Sequence, residues 1–466
     1  MRLLLLIICC GGLSMGCRRS GFLSEKPDQR LAEPNTIEQF QAILDNDYIM
    51  NGSVGRSRGV DPCLLIAGSD DSWFPSDILE AATIHDPYFR YLYSFNDQLA
   101  ATGADANWNV VYQAVFYANV VLDGIEKIER TAANQAAHDQ VKGSALFYRA
   151  RYFYQLAQVY GQPYVPATAG ADLGIVLRLE PDINESIQRS TVIQTYHRIL
   201  ADARAAIPLL PLQSASPYKT RPCRPAGYAL LAKTCLLLQD YEGARNYADS
   251  CLRLQSSLMD FSTLDGSLPY PIPRTNPETI FHSMTLGNPA FTISMSMARI
   301  DSNLYSSYAP GDLRRELFFT KGPAGEPYFR GSYDGSDWYF SGIAVDEVLL
   351  IRAEANARTQ QLSAAMDDLN RLLEKRWKKD GSFQPLTAGT AGEALALVLQ
   401  ERRKELVQRG TRWTDLRRLN AGGAGIRIER WLAGRQYLLL PGDPRFTYLL
   451  PAEVMAFHPE LPQTPR

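Results

Sequence analysis

"ERRKELVQRGTRWTDLRRLN", Glu401 to Asn420, carries seven arginines or lysines in twenty residues. Such a density of cations fits a site for an anionic ligand. It also fits a scaffold whose charges are paired inside. Leu395, Val398, Leu399 and Leu406 define one stripe of a helix ending near Gln408. Arg402 falls within that stripe, and Lys404 points to the opposite side. An arginine on a buried face needs a carboxylate partner, and Glu354, Asp368 and Asp415 are the candidates. Gly410 then ends the helix as a C-cap, and Trp413 and Leu416 pack the next turn. The stretch reads as a clamp between helices, with Arg402, Gly410, Trp413 and Asp415 in structural roles.

The neighbouring sequence is helical too. Val111, Val115, Ala118, Leu122 and Ile125 recur at three and four residues, which predicts a helix over Trp108 to Ile128. "GSALFYRARYFYQLAQVYG" predicts another over Gly143 to Tyr160. Thr36 with Gln39, and Thr191 with Gln194, have capping-box spacing at the starts of two more helices, and Pro208 ends the second. Ala226 to Ser250 and Val345 to Asn370 resemble each other: a helix, a short polar turn, then a helix opening on small residues. Superposing Gln239 on Gln360 aligns Ala232 with Ala353. These are tetratricopeptide-like helix pairs, in which small residues let helices approach closely. From Phe261 to Gly342, frequent prolines, glycines and aromatics predict an irregular lobe with a few short strands. Asp61 to Tyr93 is similarly loop-rich. Strands do not alternate with helices at regular spacing, which excludes barrel and doubly wound folds.

The chain has 466 residues, 45% hydrophobic and 21% charged, with a formal net charge of -2. This is a packed protein without the basic excess of a nucleic-acid binder. None of its five histidines has metal-site spacing, and no cofactor or metal is expected. The start is a secretory signal: Arg2, an apolar run from Leu3 to Cys10, then small residues ending at Cys17. It resembles a bacterial lipoprotein signal, with Cys17 as the lipidated residue. After cleavage Cys63, Cys223, Cys235 and Cys251 remain as well. Their spacing fixes no pairing, and Cys235 and Cys251 lie among apolar residues as buried thiols would.

Catalytic patterns do not hold together. Gly55 to Gly59 matches G-x-S-x-G around Ser57, without the strand and helix that motif requires. Asp367 and Asp368 are adjacent on a helix and point apart, and Glu401 and Glu405 sit among arginines. Asp70, Asp71 and Asp77 lack the spacing of a calcium hand. Aromatics in loops fit a different task. A sugar ring stacks its C–H face on Trp or Tyr while its hydroxyls bond to polar neighbours. "SDDSWF", "PYFRYLYSF", "NLYSSY" and "YDGSDWYF" supply such groups. The candidate ligand residues are Asp71, Trp73, Tyr88, Tyr91, Tyr305, Tyr308, Tyr333, Trp338 and Tyr339.

Taken in order, several segments resemble the RagB/SusD family of outer-membrane nutrient-binding lipoproteins. "FLSEKPD" is similar to that family's "LdekP" opening, and "ALFYRARYFYQLAQVYGQPY" to its "RA…YG-x-P" helix. "RSTVIQTYHRILADARAAIPLLP", "ALLAKTCLLLQDYEGARNYAD", "LIRAEANARTQQLSAAMDDLN" and "ERRKELVQRGTRWTDLRRLN" follow in the family's order. Its common "EGhRwfDL" is here RGTRWTDL, with Arg409 for the acidic residue and Thr411 for the histidine.

The resemblance implies a mainly α fold of four tetratricopeptide-like helix pairs plus a loop-rich lobe. The expected divisions are a signal peptide at 1–16, a lipidated tether at 17–35, a helical region at 36–260, the lobe at 261–342 and a C-terminal region at 343–466. It also implies a lipid-anchored protein of the outer membrane, facing outside. Its task would be to capture a glycan, or in some members a peptide, for a TonB-dependent (SusC-like) transporter, with no enzymatic activity. A periplasmic assembly protein and a secreted hydrolase are the other readings of an exported helical chain.

Overall fold

The computed structural model describes residues 34–52, 59–83, 87–101, 106–286 and 298–466. Cys17 and Ser57 lie outside them. Ten helices carry the scaffold: α1 Ile37–Leu44, α2 Ala106–Ile125, α3 Gln135–Tyr160, α4 Val192–Ala206, α5 Arg224–Leu237, α6 Tyr241–Leu254, α7 Val345–Arg358, α8 Leu362–Glu374, α9 Ala391–Glu405 and α10 Thr411–Ala421. Thr36 and Thr191 begin α1 and α4 with complete capping boxes, closed by Gln39 and Gln194.

Helix α3 is the axis of the core, and every residue from Gly143 to Tyr160 is buried. A helix enclosed on all sides must satisfy its polar groups internally. Arg149 donates to Asp202 of α4 through two bonds of 2.7 and 2.9 Å. Arg151 does the same to Asp61 at 2.7 and 2.6 Å. The carbonyls at the C-terminal end of α3 take guanidinium donors in place of a cap. Arg417 donates to Ala157, Gln158 and Gly161, and Arg189 to Tyr160 at 2.7 Å. Helix α2 lies along α3, and α1 seats Phe40 on Gly124 of α2, where a Cβ would fall 2.1 Å from the Phe40 ring.

Helices α5 and α6, and α7 and α8, form hairpins whose turns share the same backbone geometry. Gln239 and Gln360 both take left-handed backbone, at φ 63° and 62°. In each turn the following N–H reaches back five residues, Asp240 to Cys235 at 2.9 Å and Gln361 to Asn356 at 2.8 Å. Ala232 and Ala353 are both fully buried at the helix crossings. Ion pairs stitch one hairpin to the next: Arg352 of α7 bonds Asp249 of α6 at 2.9 Å and Asp368 of α8 at 2.7 Å.

Ten short strands form five antiparallel pairs among the described residues: β1 Ser72–Trp73 with β5 Arg299–Ile300, β2 Leu173–Val176 with β3 Arg189–Thr191, β4 Thr279–Phe281 with β8 Ile343–Ala344, β6 Phe319–Lys321 with β7 Pro327–Phe329, and β9 Ile428–Leu432 with β10 Arg435–Leu439. Several fall outside the 261–342 lobe where strands were expected. The β9–β10 hairpin turns on Ala433 and Gly434, both left-handed, as a tight two-residue connection requires. The four described cysteines are buried free thiols. No helix among the described residues is long and apolar enough to cross a membrane.

The basic stretch lies inside this scaffold, and all seven of its cations are engaged. Arg402 pairs with Asp415 at 2.8 Å, and Arg418 with Glu354 at 2.6 Å. Burial would raise the Asp415 carboxyl, but Arg402 and Arg418 outweigh it and hold it at about 2. Arg409 pairs with Asp346, Arg403 with Asp71 and Arg412 with Asp70. Arg417 serves the α3 carbonyls. Lys404 does not point away from the core as the helical stripe predicts. It is buried, with Glu401 at 2.8 Å and Asp312 at 3.3 Å. The lobe covers the second face of α9, which the periodicity of α9 alone does not reveal. The helix also stops at Glu405 and not near Gln408, because Gln408 turns left-handed at φ 59°. Gly410, at φ 73°, therefore caps the start of α10 and not the end of α9.

Around Lys404 the lobe and scaffold share one buried network. Arg314 donates to Asp312 at 2.7 Å, Glu401 at 2.6 Å and Glu405 at 3.0 Å. Arg376 links Glu405 at 2.8 Å to Glu278 at 2.9 Å. Four cations (Arg314, Arg376, Lys404, Arg409) thus face five carboxylates (Asp312, Glu278, Glu401, Glu405, Asp346). With one carboxylate in excess, Glu278 is the one pushed up, to about 7, by burial that Arg376 only partly offsets.

Candidate functional site

Two of the aromatic stretches meet at the β1–β5 pairing. Ser72 stands opposite Ile300 and Trp73 opposite Arg299, and the Asp301 N–H donates to the Asp71 carbonyl at 2.9 Å. Trp73 is 44% exposed, one of two tryptophans among the described residues with so much open surface. β7 lies beside β5. The Arg299 guanidinium sits 4.3 Å above the Tyr328 ring and 3.4 Å from Glu326, which accepts the Tyr328 hydroxyl at 2.8 Å. Beyond β5 a short helix, Ser302–Ser306, is capped by Asp301 and carries half-buried Tyr305. Arg315 stacks on Tyr305 at 5.0 Å.

This surface is bolted to the basic stretch. Arg403 of α9 reaches Asp71 at 3.2 Å and the Asp70 carbonyl at 2.8 Å, and Arg412 of α10 grips the Asp70 carboxylate at 2.6 and 2.8 Å. Burial pushes Asp71 up to about 6, with Arg403 opposing it. The clamp therefore fixes the backbone that presents Trp73, which limits the entropy lost when a ligand stacks there. The exposed indole offers an apolar face, beside the Arg299–Glu326 ion pair, whose side chains keep 11% and 23% of their surface open. That combination suits a ring with one apolar face and a polar rim.

Four of the expected ligand residues are buried and require correction. Asp71 is the Arg403 partner, and desolvation bars it from the surface. Tyr308 donates its hydroxyl to the Lys404 carbonyl at 2.7 Å, and Tyr333 donates to Glu278 at 2.8 Å. Tyr339, 9% exposed, packs on Phe329 with ring centroids 5.6 Å apart. The lobe folds inward on the α9 network, so its aromatics fill a core. Trp338 is half-buried, its N–H donating to Ser336 at 3.1 Å. Tyr88 is half-buried beside Asn107, and Tyr91 lines a different cleft.

Arg299, Glu326, Tyr328 and Trp431 were not found from sequence. Trp431 is 54% exposed on β9. The alternation in "IERWLAGRQYLL" was the available signal for it, with buried Ile428, Arg430 and Leu432 between exposed Glu429 and Trp431. Arg299 and Tyr328 meet only through strand pairing, which no local pattern announces.

Among the described residues no three His, Cys, Asp or Glu side chains are grouped to hold a metal ion. Asp70 and Asp71 are committed to arginines, and the carboxylate pair Glu401 and Glu405 to Arg314.

Residues 21–236 match a family model described as "Starch-binding associating with outer membrane", and residues 343–433 match the SusD family model. No curated protein is similar enough in sequence to count as a match. Solved structures are similar in fold. A SusD superfamily protein from Bacteroides thetaiotaomicron superposes with a TM-score of 0.74 at 20% identity, over 92% of this chain and 100% of that one. A SusD-like carbohydrate binding protein from Bacteroides vulgatus gives 0.67 at 18%, over 92% and 98%. Surface glycan-binding protein A from Bacteroides fluxus gives 0.70 at 19%, over 93% and 100%. On the two family models and this shared mainly helical fold, the chain belongs to the SusD/RagB family.

Proposed function

We propose that the protein binds carbohydrate on the surface centred on Trp73, as a binding protein and not an enzyme. It would hand the ligand to a TonB-dependent outer-membrane transporter while tethered to the outer membrane, facing outside, by lipid on Cys17. The observation that carries the binding reading is the exposed indole of Trp73 on a strand locked by Arg403 and Arg412. An aromatic platform held on rigid backbone beside the Arg299–Glu326 pair, with buried Tyr328 beneath Arg299, is a stacking site for a saccharide. The family description and the names of two structural neighbours favour the same ligand class.

The test is calorimetric titration with oligosaccharides chosen from a glycan array. Trp73→Ala should weaken binding by about 1–3 kcal/mol if the ring stacks on ligand, and Trp338→Ala should weaken it if the site extends along the lobe. Curves unchanged by both substitutions would remove this surface from the function. External protease on intact cells tests outward display, and co-purification with the transporter tests the partnership. Complete protection from the protease would rule out capture at the cell surface.

A further inference from the structure

A second cleft lies between the Pro87–Asp97 segment and the β9–β10 hairpin, with a volume of about 640 Å³. Arg90, Tyr91, Asn96, Arg435, Tyr437 and Arg445 line it. Its charges differ in kind from those of the scaffold. Arg445 is held by Asp443, through bonds of 2.9 and 2.6 Å. Arg90 and Arg435 are exposed, and neither has a carboxylate partner or a side-chain hydrogen bond among the described residues. Arg435 is stacked on Tyr437, with the guanidinium 5.1 Å from the ring centre.

The walls are firmly placed. Arg430 of β9 is buried and donates to the carbonyls of Ala67 at 2.7 Å, Ser69 at 2.8 Å and Tyr93 at 3.1 Å. Its guanidinium also stacks on Phe95 at 4.3 Å. Those bonds fasten the hairpin to the segment that carries Arg90 and Tyr91. The cleft is thus a fixed concavity with two unpaired guanidiniums and two tyrosines, and the one carboxylate among its lining residues, Asp97, is engaged by Arg466.

We propose that this cleft binds the acidic groups of an anionic saccharide. Arg90 and Arg435 would take a carboxylate or sulfate, and Tyr91 and Tyr437 would supply faces and hydroxyls for the ring. Guanidinium forks pair with planar carboxylates and with sulfate oxygens through two parallel bonds, and they lose little order in doing so. A neutral glycan would leave both charges unmatched. The inference rests on the carbohydrate reading and narrows it: the preferred ligand class is acidic, and charge is read at a place other than Trp73.

The experiment is titration of the full chain at low ionic strength with four probes: an oligogalacturonate, its methyl ester, a chondroitin sulfate oligosaccharide and a malto-oligosaccharide. The oligogalacturonate or the chondroitin sulfate should bind at least about tenfold more tightly than the methyl ester and the malto-oligosaccharide, with affinity falling as salt is added. Tighter binding of the chondroitin sulfate, which carries uronate carboxylates as well as sulfates, assigns the site to sulfate only if its desulfated form binds more weakly; tighter binding of the oligogalacturonate assigns it to carboxylate. The double variant R90Q/R435Q should lose that preference while melting close to the wild-type temperature, since neither side chain makes an ion pair or a side-chain hydrogen bond among the described residues and Arg435 only stacks on Tyr437. Acidic probes that bind no better than the methyl ester, or a double variant that keeps the preference, would overturn the proposal. If in that case the malto-oligosaccharide still binds and Trp73→Ala weakens it, the carbohydrate reading stands alone. Failure of all four probes to bind would remove both.

Discussion

The Glu401–Asn420 stretch and the cleft lined by Arg90 and Arg435 are both rich in arginine, and they do opposite things. In the first, every cation meets a carboxylate or a carbonyl inside the protein. In the second, two guanidiniums face open space with no carboxylate or hydrogen-bond acceptor among the described residues. Cation density along a sequence therefore says little about ligands. The deciding quantity is the balance of charge that folding leaves unmet, because a buried charge must be paired and an exposed one need not be.

Substitutions that break the scaffold network should have the largest effect. Glu405 joins Arg314 to Arg376 with all three buried. Glu405→Ala should cost about 3–5 kcal/mol, since it takes a carboxylate from two buried guanidiniums at once and leaves Arg314 to Asp312 and Glu401 and Arg376 to Glu278. Urea denaturation would measure it, and a loss below about 1 kcal/mol would mean that the network carries little of the stability.

A pH series probes the same network from its weakest member. Glu278 is raised in the folded state from 4.5 to about 7. A carboxyl raised by folding contributes stability that is full below its unfolded pKa and is lost as pH rises through the folded one. Stability should therefore fall between pH 4.5 and 7, by at most about 3–4 kcal/mol. Glu278→Gln, neutral at every pH, should flatten that fall. Asp415 has the opposite sign: held at about 2, it contributes above its unfolded pKa of 3.8 and loses this only in stronger acid.

On the proposed ligand surface the order reverses, with affinity moving more than stability. Trp73→Ala should weaken saccharide binding by about 1–3 kcal/mol while costing less in urea denaturation than Glu405→Ala. Equal damage to folding would assign Trp73 to the core. The smallest effect belongs to the matching turns. Gln239→Gly and Gln360→Gly should each stabilise by a few tenths to about 1 kcal/mol, because glycine reaches φ near +60° without the Cβ clash that glutamine bears. Thermal melting would show it. A destabilised variant would reveal a side-chain contact that outweighs the backbone gain.

The sequence by itself was enough for features carried by local chemistry. Capping boxes at Thr36 and Thr191, the periodicity of α2 and α3, and the kinship of the two hairpins all rest on residues within a turn or two of one another. Arg402 on an apolar stripe demanded a carboxylate, and Asp415 lies only thirteen residues away.

What tertiary structure alone decided was which polar and aromatic groups remain exposed. Tyr308 and Tyr333 look like platforms in their loops, yet the fold buries Tyr308 on α9 and Tyr333 against Glu278 and against Asp346 of α7. Lys404 looks solvated on its own helix, yet Asp312 of the lobe waits on its far side. Arg299 comes to Trp73, and Arg435 to the cleft with Arg90, across more than two hundred residues of chain. Burial and charge balance are sums over everything that packs around a side chain, and a linear pattern holds only the part contributed by its own element.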